Sequence, residues 1–227
     1  MRGENVIKVL SCSILLLYAS ILDWRYREID DKAWLSMLLL GLLFLIYDFF
    51  KLRDASLIVL FSISVGIAVP IAALLSYLKV MGGGDAKILV GIAALIPTLN
   101  YSTVTVFPFF MLGVFFGNAV PIGALLPLVF FTINLKHLPE VGSLKGFLAL
   151  FLGYEKEASR VGKFEALLGR NGNYTLLVKK DELGKKIEGG GKVWVTPAIP
   201  FVILITIGFV ISVVYGDLLS YILLSYF

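Results

Sequence analysis

The chain has 227 residues but only one cysteine, Cys12, and one histidine, His137. One cysteine excludes an internal disulfide and any zinc site built on paired thiolates. One histidine excludes a multi-histidine metal centre. Nothing in the chain reads as a His–Ser pair, a metal-ligand set or a phosphate cradle. Charge is scarce as well, at 16% of residues, and sits in short clusters or in one block between residues 136 and 192. That block mixes Asp and Glu with its Lys and shows no helix of clustered Arg, which argues against nucleic acid as a partner. The net charge of +4 therefore says little about partners, because Lys and Arg in a membrane protein mainly set topology.

What the chain does have is apolar surface: 59% hydrophobic residues and a mean hydropathy of +0.92. Those values belong to integral membrane proteins. A spanning helix takes roughly 20 mostly apolar residues. Six segments approach that length, at about 6–22, 33–50, 55–78, 86–99, 104–134 and 197–226. The first resembles a signal peptide in having Arg2 and Lys8 at its start. However, "YASILDWRY" is a poor cleavage site and further apolar segments follow, so it reads as a retained helix. The fourth is short and ends near Pro97, as a partial or protein-buried helix would. The fifth carries Pro108, Pro121 and Pro127, which predict a bent, tilted or divided helix.

With the N-terminus outside, only Arg2, Lys8, Lys51 and Arg53 of the 20 Lys and Arg residues fall on the outer side. The other sixteen, including Lys79 and Lys87, then face the cytoplasm, as the positive-inside rule prefers. Residues 135–195 read as a small cytoplasmic domain. "SLKGFLALFLGY" (143–154) suits an interfacial helix, and 163–180 suits two strands around Asn171-Gly172. "KVWVT" (192–196) is a third strand, reached through the flexible turn "EGGGK" (188–192). The expected fold is thus an α-helical polytopic membrane protein of about six transmembrane helices. A membrane domain (1–134) precedes the small antiparallel domain (135–195), and the last transmembrane helix (196–227) follows it.

Two carboxylates stand out against this background. Asp85 follows Gly82-Gly83-Gly84 and opens the fourth apolar segment; taken alone it reads as a helix N-cap. A P-loop is excluded because no Gly-Lys-Ser/Thr ending follows. Asp23 closes the first segment in "ILDWRYREIDD". A carboxylate at a helix C-terminus meets an unfavourable dipole of about 0.3–1 kcal/mol. Ionisable groups at the membrane boundary are costly and usually functional. On the expected topology both aspartates lie at one membrane face. Two close carboxyls share a proton, so one can act as a base toward water and the other as an acid toward a carbonyl oxygen. That chemistry hydrolyses peptides without metal or cofactor. The glycines allow an extended substrate to approach.

Gly82-Gly83-Gly84-Asp85 fits the Gly-x-Gly-Asp signature of membrane aspartyl proteases. Asp23, Arg27 and Ile29 form an Asp-x-x-x-Arg-x-Ile stretch that resembles the first catalytic motif of the type IV prepilin peptidases. In size and layout the chain is most similar to the archaeal preflagellin peptidases within that group. The resemblance implies that Asp23 and Asp85 are the catalytic pair. It also implies a class III signal peptide of preflagellin, or of a prepilin-like precursor, as the substrate, cut near the cytoplasmic membrane surface. Relatives that also methylate the new N-terminus carry Cys-x-x-Cys pairs, which this chain lacks. "PAIP" (197–200) resembles the Pro-Ala-Leu motif of the presenilin group, although a proline-rich helix start explains it equally. Glu28, Asp30 and Asp31 could attract the basic leader of such a substrate, or could be a solvated loop balanced by Arg25, Arg27 and Lys32. Two other classes fit the same sequence: a small transporter or channel binding cations at Asp23 and Asp85, and a scaffold presenting residues 135–195. The oligomeric state is not legible.

Overall fold

The structure is a computed structural model that describes residues 3–78, 80–98, 107–140, 142–170, 172–175, 182–185, 187 and 190–225. Lys79, Asn171, the start of the fifth apolar segment (104–106) and the second half of the expected hairpin (176–180) lie outside the described residues. The chain divides into two compact units, residues 1–122 with 200–227, and residues 123–199.

The first unit begins with three long apolar helices, α1 (Gly3–Tyr26), α2 (Asp31–Leu52) and α3 (Ser56–Tyr77). α1 stops because Arg27 turns left-handed, with φ 55°, and its N–H caps the carbonyl of Asp23 at 3.1 Å. α2 restarts the chain at Asp30, whose Oδ1 accepts the N–H of Lys32 at 3.0 Å. Its end repeats the device of α1: Arg53, also at φ 55°, donates to Phe49 O at 2.9 Å. Pro70 is carried inside α3.

α4 (Gly83–Leu95) has only 13 residues, and most of its side chains are buried. It survives at that length because α2 and α3 enclose it. A Cβ on Gly41 of α2 would come within 2.4 Å of Ala94 O, and one on Gly91 within 2.8 Å of Met37 Sδ. On the other side Ser64 of α3 donates to the Ala93 carbonyl at 3.0 Å. Protein rather than lipid surrounds this short helix.

The fifth segment is a continuous run of α5 (Phe110–Leu112), a π-helical stretch (Gly113–Ala119) and α6 (Val120–Asn134). The π-helix widens the turn just before Pro121, which has no N–H to continue an ordinary ladder. Asn118, fully buried there, donates to Ser212 Oγ at 2.7 Å and to the carbonyls of Gly208 and Gly216. Its Oδ1 accepts the N–H of Leu218 at 2.9 Å.

The segment expected as one last helix is broken in two. α8 (Phe201–Val214) ends at Tyr215, Gly216 adopts φ 89°, and Asp217 caps α9 (Leu218–Leu224). Among the described residues four helical runs are long and apolar enough to cross a membrane: Asn5–Tyr26, Asp31–Leu52, Ser56–Tyr77 and Phe110–Leu138. The expected fourth and sixth spans are therefore the shorter helices α4 and α8.

In the second unit, α7 (Leu144–Leu152) is capped by Ser143, whose side chain accepts the N–H of Gly146 at 3.1 Å. Among the described residues four strands follow: β1 (Tyr154–Glu157), β2 (Glu165–Arg170), β3 (Asn173–Tyr174) and β4 (Lys192–Pro197). They form one antiparallel sheet in the order β1-β4-β2-β3, and Gly172, at φ 82°, makes the turn between β2 and β3. Leu150 and Ala149 of α7 pack with Leu168 and Trp194 of the sheet. β1 was not expected. Its sequence "YEKE" carries no alternating apolar face, and its pairing with β4 alone makes it a strand.

Candidate active site

Asp23 sits in the last turn of α1 and is buried, 5% exposed. Its Oδ2 accepts the N–H of Val202, in the first turn of α8, at 3.0 Å. The unfavourable dipole at the end of α1 is thereby met by the favourable start of another helix. The register of α8 against α1 is fixed nearby, where Ser20 and Thr206 share a hydrogen bond of 2.8 Å. Arg27, four residues on, closes the last turn of α1, stacks 6.0 Å from the Trp24 ring and acts electrostatically on Asp23. The four-residue spacing of Asp23 and Arg27 is thus one helical turn closed by a left-handed cap.

Asp85 is not the N-cap of α4. That position is Gly82, and Asp85 lies three residues further, its Oδ2 reaching back to the Gly82 N–H at 3.0 Å. Such a reach is the acidic half of a capping box, and the first turn is where a carboxylate best satisfies free N–H groups. Each glycine before it has a different neighbourhood. A Cβ on Gly82 would lie 3.0 Å from Asp85 Oδ2 itself. One on Gly83 would meet Ser76 Oγ, at 3.6 Å. One on Gly84 would press on Ile29, 3.2 Å from both its Cβ and its Cδ1.

The two sequence motifs therefore touch: Ile29, from the stretch after Asp23, rests on Gly84, beside Asp85. A second tie lies next to it. Lys87, two residues past Asp85, pairs with Asp31 Oδ1 at 2.6 Å, and the Trp34 indole donates to the same oxygen at 2.9 Å. The Lys87 ammonium also lies 5.7 Å from the Trp34 ring centre. Of the three acidic residues expected to attract a leader, Asp30 caps α2 and pairs with Lys32 at 3.3 Å, and Asp31 holds Lys87. Glu28 is exposed. The Lys32 N–H and the Lys32 ammonium hold the Asp30 carboxyl below its ordinary value.

The Val202 N–H is a site group that side-chain reasoning misses, since it belongs to the backbone. Its sequence signal is "PAIP", which supplies an extended Pro200 as the N-cap of α8 and so sets where the free N–H groups begin. No group of three or more His, Cys, Asp or Glu side chains is placed to hold a metal ion among the described residues. The arrangement offers two carboxylates, each with one oxygen anchored by a backbone N–H, on elements braced at Ile29–Gly84 and Asp31–Lys87.

Comparison with known proteins adds a family to this geometry. The type IV leader peptidase family matches residues 10–122, and the archaeal peptidase A24 C-terminus type II matches residues 114–218. The chain is 34% identical to a preflagellin peptidase of Methanocaldococcus jannaschii, covering 95% of this chain and 96% of that one. It is 32% identical to a preflagellin peptidase of Methanococcus maripaludis, over 89% of this chain and 92% of the relative. A third preflagellin peptidase, from Methanococcus voltae, is 31% identical over the same shares.

Proposed function

Since the chain belongs to the type IV leader peptidase family and is a peptidase, we propose that it is a membrane aspartyl endopeptidase in which Asp23 and Asp85 activate one water. Its substrate is preflagellin or a prepilin-like precursor, cut at the end of a basic class III leader on the cytoplasmic face. One carboxylate takes a proton from the water as its oxygen bonds to the scissile carbonyl carbon. The other carboxyl gives its proton to the carbonyl oxygen. As the resulting diol collapses, the second carboxylate takes back a proton from one hydroxyl, the C–N bond breaks, and the leaving amine receives the proton that the first carboxylate took from water. The pair titrates as a unit, so activity follows a bell-shaped pH profile.

The observation that carries this reading is the anchoring of each carboxylate by a backbone N–H, Val202 for Asp23 and Gly82 for Asp85. In this reading the water sits between the two carboxylates. Gly82, Gly83 and Gly84 would form the strip along which an extended peptide backbone approaches, with Gly84 also seated on Ile29. Glu28, Asp30 and Asp31, in the loop after Asp23 and at the start of α2, would meet the basic leader. The test incubates membranes carrying the wild-type chain or Asp85→Asn with a preflagellin precursor and reads the new N-terminus by mass spectrometry. Wild-type membranes release the leader and the variant does not. Equal cleavage by both would remove Asp85 from the mechanism, and no cleavage by either would remove this substrate class.

A further inference from the structure

At the end of α1 and α2 away from Asp23, the helices surround a partly open cavity of about 500 Å³. Lys8 and Asp48 both line it. The Lys8 ammonium donates to Asp48 Oδ2 at 2.6 Å, and the two side chains are only 16% and 10% exposed. Lys8 stands three residues inside its apolar span and Asp48 four residues before the end of its own. Each is thus roughly 5 Å inside the span, and Lys8 is roughly 22 Å along α1 from Asp23. That is the depth at which lipid headgroups give way to hydrocarbon.

The pair is held but not saturated. An ammonium has three N–H groups, and Asp48 takes one. The ammonium also lies 5.7 Å from the centre of the Phe44 ring. Asp48 Oδ1 is closed off from solvent and meets no donor among the described residues. Leaving a buried charged acceptor unmatched is unfavourable, and a small rotation of the carboxylate would bring it to a donor in the cavity. Asn5 and Thr98 add polar groups, while Leu45, Leu52, Leu57, Leu60 and Phe61 supply an apolar wall.

The chemistry of the site selects its occupant. A bare metal cation is opposed by Lys8, and a bare anion by Asp48. A molecule carrying both a phosphate oxygen and a hydroxyl or ammonium hydrogen suits the two together, and the leucines suit an attached hydrocarbon chain. The outward faces of α2 and α3 continue that apolar surface, with Leu43, Ile46 and Val59 each more than half exposed. We propose that this cavity binds the headgroup of one phospholipid, phosphate on Lys8 and headgroup hydroxyl or ammonium on Asp48, with its tail along α2 and α3.

The experiment follows thermal unfolding of the full-length protein in detergent. Phosphatidylglycerol, a tail-matched diacylglycerol and free glycerol phosphate are titrated in separate arms. Only the phospholipid raises the Tm, and it does so saturably, with one lipid retained per chain by native mass spectrometry. Lys8→Met, paired with Asp48→Leu so that no lone charge is buried, weakens this binding at least about tenfold. Leu60→Trp fills the cavity without touching the pair and weakens binding to a similar degree. Equal stabilisation by diacylglycerol would overturn phosphate recognition. Stabilisation by glycerol phosphate would make the ligand a soluble phosphate and overturn the lipid reading. Undiminished lipid binding in Leu60→Trp would place the lipid elsewhere.

Discussion

Replacing Gly84 with Ala probes the contact that joins the two motifs. The new Cβ would stand 3.2 Å from Ile29 Cβ and Cδ1, closer than ordinary van der Waals contact, so one side must give by a few tenths of an ångström. The expected effect on stability is small. Overpacking of this size costs about 1 kcal/mol, and Ala for Gly in a helix returns up to about 0.5–1 kcal/mol. The Tm of a chain this long should therefore stay within about 3 °C of wild type. Catalysis is less forgiving, because a misplacement of about 1 Å can cost a hundredfold in rate. A shift of a few tenths of an ångström between the loop after Asp23 and the Asp85 turn then lowers kcat roughly three- to tenfold, with KM unchanged. Steady-state cleavage of a leader peptide measures it. Ile29→Val removes Cδ1, one of the two nearest atoms, and restores most of the lost rate in the double variant. Full activity of Gly84→Ala, or a failure of Ile29→Val to rescue it, would show that this contact does not position the site.

Val202→Pro deletes the N–H bonded to Asp23 while leaving a residue the first turn of a helix tolerates. A hydrogen bond to a charged group contributes about 1.5–3 kcal/mol, so cleavage falls roughly ten- to a hundredfold with the circular dichroism spectrum unchanged. Asn118→Leu strips partners from the Leu218 N–H and from the Gly208 and Gly216 carbonyls. At about 1–3 kcal/mol for each buried group left unmatched, the Tm drops by roughly 5 °C or more. In the second unit, burial alone would raise the Glu165 carboxyl. The Gly162 N–H, the Tyr154 hydroxyl and the Lys156 ammonium outweigh it and hold Glu165 below its ordinary value. A depressed carboxyl contributes stability above its unfolded value, and that contribution disappears as pH falls through the folded one. Hydrogen exchange in β2 should accelerate below about pH 4.5 in wild type, and Glu165→Gln should remove that dependence. Tyr154, pushed up to about 12 by burial and by Glu165, adds nothing to the acid limb.

The parts of the fold legible in the sequence were those with local causes. Apolar length gave α1, α2 and α3; shortness and Pro97 marked α4 as a buried helix; Asn171-Gly172 marked the turn from β2 to β3. What was not legible depends on partners distant in the chain. "YEKE" becomes β1 only beside β4. The last apolar run breaks at Gly216 because Asn118, about a hundred residues earlier, takes up the exposed backbone groups on both sides of the break. At the candidate site, residue types placed Asp23 and Asp85 at helix boundaries, and the structure finds both there. Their anchoring groups, the N–H of Val202 and of Gly82, have no side-chain signature. Taken alone Asp85 reads as an N-cap, whereas Gly82 holds that position and Asp85 reaches back to it. The sequence leaves Asp31 either a leader-binding or a solvated charge, and its pairing with Lys87, 56 positions away, has no local signal.

The claim that one water is activated by two carboxylates acting as a unit is tested most directly by a mutant cycle. Asp23→Asn, Asp85→Asn and the double variant are compared with wild type for cleavage of a preflagellin leader, each first shown to insert with an unaltered Tm. Groups that act as a unit are strongly non-additive. Each single variant should lose at least about three orders of magnitude in kcat/KM, and the double variant should be no worse than either. Substantial turnover by either single variant, or losses that multiply in the double, would contradict the shared-water dyad.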